Sequence, residues 1–139
     1  MERLEEYATL QTERPDVIEA ARPPPGWPQS GALAFEDVQM RYRDDLGLAL
    51  KGVSFATRPG EKVGVVGRTG AGKSSLAVAL FRICEPCGGR VVLDGVDVGT
   101  IGLADLRGRL SIIPQASGAA CVRIRADAEA GWRWTHIWL

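Results

Sequence analysis

Residues 63–74 run Val63-Gly64-Val65-Val66-Gly67-Arg68-Thr69-Gly70-Ala71-Gly72-Lys73-Ser74, and Gly67 to Ser74 fit the G-x-x-x-x-G-K-[ST] pattern of a phosphate-binding loop, or P-loop. The flanks agree with the pattern. Val63 to Val66 form a β-branched run after a Pro59-Gly60 turn, and Ser75 to Ile83 carry helix-favouring residues, so the order is strand, glycine loop, helix. Gly70 and Gly72 have no Cβ, which lets the backbone take positive φ and turn successive N–H groups toward one anion. A helix starting near Gly72 adds the positive end of its dipole, about half an elementary charge. Lys73 is then placed to reach β- and γ-phosphates as a point charge, and the Ser74 hydroxyl to ligate a bridging Mg²⁺.

Working outward, Leu76, Leu80 and Ile83 form one stripe of the following helix with Ala77 and Phe81 beside it, so this helix is expected to be buried between layers. Upstream, Leu33 and Phe35 alternate on one face, then Val38, Met40 and Tyr42 do so, and the change of register at Glu36-Asp37 predicts a bulge. Further strands are expected at Ala49 to Ala56 and Arg90 to Leu93, giving an antiparallel sheet beside the P-loop unit. Leu103, Leu106 and Leu110 predict a short helix leading into a strand at Leu110 to Ile113, ended by Pro114. Residues 1–31 are polar and proline-rich, with Pro23, Pro24, Pro25 and Pro28 around Trp27; they read as an extended connector, with a boundary near Gly31.

The chain has 139 residues, one domain at most, with 17 basic and 17 acidic side chains, a balance that argues against a nucleic-acid or anionic-membrane surface. No apolar run approaches the roughly 18 residues needed to span a bilayer, and Glu2, Arg3, Glu5 and Glu6 do not form a signal peptide, so a soluble, cytoplasmic chain is expected. Cys84 and Cys87 make a C-x-x-C, with Cys121 and His136 as further ligand candidates, but no matching cluster follows; reduced, structural thiols are the expectation. Val91 to Asp94 imitates an apolar strand ending in a metal-binding Asp, yet Gly95 follows where a catalytic acid is wanted, so it reads as a strand-to-turn junction. Asp105 to Gly108 imitate the D-x-x-G of a GTPase, and no base-reading N-K-x-D follows.

The segment from Phe35 to Gln115 resembles the start of an ABC transporter nucleotide-binding domain. The run from Gly60 to Leu76 followed by Leu80-Phe81-Arg82-Ile83 is similar to the second such domain of subfamily C, the multidrug-resistance-associated proteins. The resemblance implies an α/β fold: a partial P-loop NTPase domain with an antiparallel β-subdomain, the P-loop strand and helix, and an incomplete core sheet. It implies ATP and Mg²⁺ as ligands, held by Gly67, Arg68, Thr69, Gly70, Ala71, Gly72, Lys73, Ser74 and Ser75. Arg41, Tyr42 and Arg43 match the family's A-loop, so Tyr42 is expected to stack on adenine; the strand pattern alone would bury it inward. Ile112 to Gln115 match the Q-loop, whose glutamine joins Mg²⁺ with Ser74. Leu4 to Tyr7 resemble the link from a transmembrane helix. A second nucleotide-binding domain and transmembrane domains are the implied partners, at the cytoplasmic face of a membrane.

After Gln115 the family pattern is expected to continue with a signature motif, a Walker B glutamate and a switch histidine. Asp127, Glu129 and His136 lack the leading strands for those roles, so the resemblance is expected to stop at Gln115 and residues 116–139 to be a disordered, divergent tail of a truncated or alternatively spliced product. That tail holds three of the four tryptophans, Trp132, Trp134 and Trp138, in an alternation with no sheet expected for it to join. Three readings follow. The chain is the ATP-binding piece of an exporter with negligible hydrolysis on its own, a non-enzymatic fragment that is inert or interferes with a partner domain, or another P-loop protein such as a GTPase.

Overall fold

The computed structural model describes residues 12–68, 70–114, 120–128 and 131–139. Eight strands and two α-helices follow in chain order: β1 (Leu33–Met40), β2 (Leu50–Ala56), β3 (Lys62–Gly64), α1 (Lys73–Leu80), β4 (Gly88–Leu93), β5 (Val96–Asp97), α2 (Leu103–Arg107), β6 (Leu110–Pro114), β7 (Ala120–Ala128) and β8 (Gly131–Trp138). They form two four-stranded sheets, β2-β1-β4-β5 and β3-β8-β7-β6. The first is antiparallel throughout, as the alternating sequence requires.

The expected bulge is present: the β1–β2 register shifts between Phe35 and Val38, with Asp37 at φ +49°. The extra residue re-aims the strand, so Leu33 and Phe35 before it and Val38 and Met40 after it all face the core. Gly89 in β4 lies directly beneath the bulge at φ +70°, where a Cβ would collide with the Glu36 and Asp37 carbonyls. Gly89→Ala is expected to cost about 3 kcal/mol through backbone strain and displacement of the bulge, read as a lower urea midpoint at unchanged m. β4 and β5 are joined through Asp94 and Gly95, both at positive φ, as a tight type I′ hairpin demands.

Helix α1 buries Leu76, Ala77, Ala79 and Leu80. One apolar cluster runs from Leu33, Val38 and Met40 of the first sheet through these residues to Val122, Ile124 and Ile137 of the second. A nearly all-apolar helix finds a place only where both sides are covered.

Two segments depart from the sequence reading. Where a disordered tail is expected, β7 and β8 form a hairpin, and β8 lies parallel to β3 with Lys62 opposite His136, Val63 opposite Ile137 and Gly64 opposite Trp138. The tail therefore has a sheet to join, and it supplies the P-loop strand with a parallel neighbour. Thr135, Ile137 and Leu139 point inward while Trp138 on the opposite face is 40% exposed. The buried Thr135 hydroxyl accepts the Gly60 N–H, and the Glu61 carbonyl accepts the His136 N–H, so the turn before β3 is also tied to β8.

The described part of the connector, residues 12–31, is a strap on the core rather than the unpacked chain expected. Trp27 is buried and its indole N–H donates to the Leu93 carbonyl at 2.9 Å. A buried indole must find such an acceptor. The Asp94 carboxylate accepts the backbone N–H groups of Ser30, Gly31 and Ala32 at 2.7, 3.0 and 2.8 Å, and the Ser30 hydroxyl as well. Burial alone raises the Asp94 carboxyl, but these four hydrogen bonds together outweigh it and hold it below the usual carboxylate range.

Candidate functional site

The P-loop leaves β3, and the Val65 N–H continues the pairing with β8 by donating to the Trp138 carbonyl at 2.7 Å. The Ala71 N–H then closes a turn on the Arg68 carbonyl at 3.1 Å. Gly70 and Gly72 stand at φ +82° and +87°, the positive values expected of them. Gly72 is the N-cap of α1 and provides no side chain to occupy the helix's first N–H groups. A Cβ there would also lie 2.9 Å from the Ala49 carbonyl, so this position excludes side chains on two counts. Arg68, Gly70 and Ala71 are exposed along the loop.

Lys73 is the first residue of α1, and its ammonium donates to the Gly67 and Arg68 carbonyls at 2.8 and 3.0 Å, spanning the mouth of the loop. Ser74 is exposed in the first helical turn and Ser75 is buried. Thr69 and Gln115 lie outside the described residues, as do Leu4 to Tyr7 and Glu129.

Tyr42 is not the inward-facing strand residue that its alternation with Val38 and Met40 predicts. β1 ends at Met40, and Tyr42 stands 47% exposed with its hydroxyl 2.9 Å from Ser75 Oγ. That contact sets an aromatic ring beside the first turn of α1. Tyr42 also lines a cleft of ≈ 590 Å³ together with Arg14, Arg41, Glu85 and the thiols Cys84 and Cys87.

The remaining candidates are dispersed. Cys84, Cys87 and Cys121 are free, Cys121 lies in β7 and His136 in β8, and among the described residues no His, Cys, Asp and Glu cluster fit for a metal occurs. Burial, with Arg123 and Lys62, lowers the His136 pKa. Asp94 faces the strap, and Asp105 pairs with Arg22 at 3.2 Å, so neither is brought to the loop. Among the described residues no helix is long and apolar enough to cross a membrane.

The loop thus brings two glycines at positive φ, the first turn of α1 and the Lys73 ammonium together. Comparison with known proteins accords with it, since the ABC transporter family model matches residues 50–129. The chain belongs to the ABC transporter family. Its curated relatives include subfamily C members: it is 55% identical over 115 residues to ATP-binding cassette sub-family C member 2 of Rattus norvegicus, covering 83% of this chain and 7% of the relative. It is 46% identical over 140 residues to the ATP-binding cassette transporter abc2 of Schizosaccharomyces pombe, covering 99% of this chain and 10% of the relative. The chain thus spans about a tenth or less of the length of these relatives. A bacterial Atm1-family ABC exporter solved with ATP bound matches with a TM-score of 0.68 at 32% identity, over 81% of this chain and 20% of that one. Because the ABC match runs to residue 129 and the abc2 match over nearly the whole chain, the likeness does not stop at Gln115 as the sequence reading expects.

Proposed function

We propose that this ABC domain binds MgATP as the nucleotide-holding part of an ATP-driven exporter of the subfamily C type. The Lys73 ammonium, held over the Gly67 and Arg68 carbonyls at the N-terminus of α1, is the observation that carries the reading. In this assignment the loop from Gly67 to Ser75, with Thr69 among its residues, wraps the phosphates through its N–H groups, and Lys73 exchanges the two carbonyls for β- and γ-phosphate oxygens. Ser74 fits a Mg²⁺ ligand: the residue is exposed in the first turn, and Mg²⁺ favours one or two protein oxygens with the rest from phosphate and water. Gln115 is proposed as the other protein ligand. Ser74 and Gln115 would hold Mg²⁺, which would supply positive charge to neutralise phosphate oxygens. The exporter assignment, with a second nucleotide-binding domain, transmembrane domains and a site at the cytoplasmic face of a membrane, rests on the names of the relatives and of the solved exporter.

Tyr42 is proposed as the adenine platform. Removing a base-stacking ring costs about 1–3 kcal/mol, so Tyr42→Ala is expected to weaken MgATP binding by roughly 5- to 100-fold while leaving Mg-tripolyphosphate binding unchanged. Calorimetric titration of both ligands checks this. Tyr42→Phe keeps the ring and loses only the Ser75 contact, so it should match the parent; a phenylalanine variant as weak as the alanine one would show that the hydroxyl, not the ring, matters.

A further inference from the structure

Helix α1 has no basic residue in its own last turn. Arg107, the last residue of α2, supplies that charge from outside. Its Nε donates to the Phe81 carbonyl at 3.0 Å and its Nη2 to the Arg82 carbonyl at 3.1 Å, at the C-terminal end of α1. The same guanidinium binds the Glu13 carboxylate of the strap through Nη1 and Nη2 at 2.8 and 3.0 Å. All three guanidinium nitrogens are thereby committed, two of them bidentately, which fixes the group in one orientation. The Glu13 carboxyl is held below its ordinary range chiefly by the Arg107 hydrogen bond, so the pair is ionised in neutral buffer.

The strap also holds α2 at its other end. The Pro15 and Asp16 carbonyls accept the Leu103 and Ala104 N–H groups at 3.2 and 2.9 Å, satisfying two donors of the first turn. Gly102 allows this approach, since a Cβ there would collide with the Asp16 carbonyl. A second clamp stiffens the junction. Arg82, 3% exposed, donates to the Val98 and Ile101 carbonyls at 2.9 and 2.8 Å and pairs with Glu85 at 2.7 Å. Hydrogen bonds thus tie the C-terminal end of α1 to residues 98–107, and residues 103–107 to the strap.

At its other end, about 12 Å away for an eight-residue helix, α1 begins at Gly72 and Lys73 in the P-loop. An eight-residue helix is little more than two turns and has no proline or glycine at which to kink. We propose that Arg107 and Glu13 are positioning residues that link docking of the 13–16 strap segment to the phosphate affinity of the P-loop. Because both events fix the same helix, each strengthens the other by the same factor. The proposal rests on MgATP binding at the P-loop.

The test uses the whole chain with Glu13→Arg, Glu13→Asp and the parent. Calorimetry measures MgATP affinity, and hydrogen exchange follows the Leu103 and Ala104 amides with and without nucleotide. In the parent, MgATP should slow exchange at both amides. Glu13→Arg sets two cations together at an exposed pair, so the low end of reported couplings applies: affinity should fall about fivefold and the nucleotide-dependent slowing should vanish. Glu13→Asp should restore both. A purely structural role would lower protection equally with and without MgATP and leave the difference between the two intact. Parent-like affinity in Glu13→Arg with the nucleotide response retained would overturn the coupling alone. A parent chain that binds no MgATP would overturn both the coupling and the function on which it rests.

Discussion

Lys73→Ala is expected to weaken MgATP binding by at least about 100-fold, beyond the range of a calorimetric titration with the isolated chain. The ammonium already spans the loop mouth on two backbone carbonyls, so little reorganisation is needed when phosphate oxygens replace them. Hydrogen bonds to charged groups contribute about 1.5–3 kcal/mol each, and two lost together amount to about 3–6 kcal/mol, or at least two powers of ten in affinity. The carbonyls left behind lie in an exposed loop and return to water, so folding stability should change by no more than about 0.5 kcal/mol. A far-UV spectrum and urea midpoint like those of the parent, with binding gone, is the expected pair of results. Undiminished binding in Lys73→Ala would remove the lysine from the site and the P-loop reading with it.

The second large effect is on stability. Asp94→Ala removes the acceptor for three backbone N–H groups and one hydroxyl, and should cost about 3 kcal/mol, the partial solvent access of the site keeping it below the sum of four charged hydrogen bonds. The strap then loosens at Trp27, whose buried ring should gain solvent and shift its emission to the red. The pH dependence has a fixed sign. The folded-state pKa of Asp94 is lowered from an ordinary value of 3.8, so its contribution is fully present above that value and is lost as pH falls through the lower folded-state pKa. The gap in urea midpoint between parent and Asp94→Ala should be constant from neutrality down to about pH 5 and close only under more acidic conditions. A gap that persists unchanged at the acid limit of folding would mean that the carboxylate charge is not what holds the strap.

The P-loop, its flanking strand and helix, and the β1 bulge were legible because each is local: fixed glycine spacing, a run of apolar residues, and an alternation that flips at Glu36-Asp37. Element edges were less so, since β3 is Lys62–Gly64 rather than Val63 to Val66, and α1 ends at Leu80 rather than Ile83. Trp27 escaped because prolines on both sides argue for an extended chain, while its acceptor, the Leu93 carbonyl, lies 66 positions away. Tyr42 continues the period of β1 beyond the point where pairing ends, and periodicity alone does not mark that end. The Asp94 clasp had a partial signal, since Asp-Gly after an apolar strand is a hairpin signature, but nothing local names Ser30 to Ala32 as its partners. β8 left the least trace. Its alternation was visible, yet the strand it joins lies far upstream, and parallel pairing has no turn to announce it.

That pairing has a consequence for how the polypeptide is made. Lys62 waits for His136, 74 positions later, before β3 has a neighbour among the described residues. At typical translation speeds of about 5–20 residues per second, this leaves β3 without its flanking strand for about 4–15 s on the nascent chain. During that interval Val63, Val65 and Val66 form an unprotected β-prone edge, the kind of segment that chaperones retain and aggregates recruit. Synthesis rate between codons 64 and 136 thus becomes a determinant of yield, independent of the stability of the finished fold.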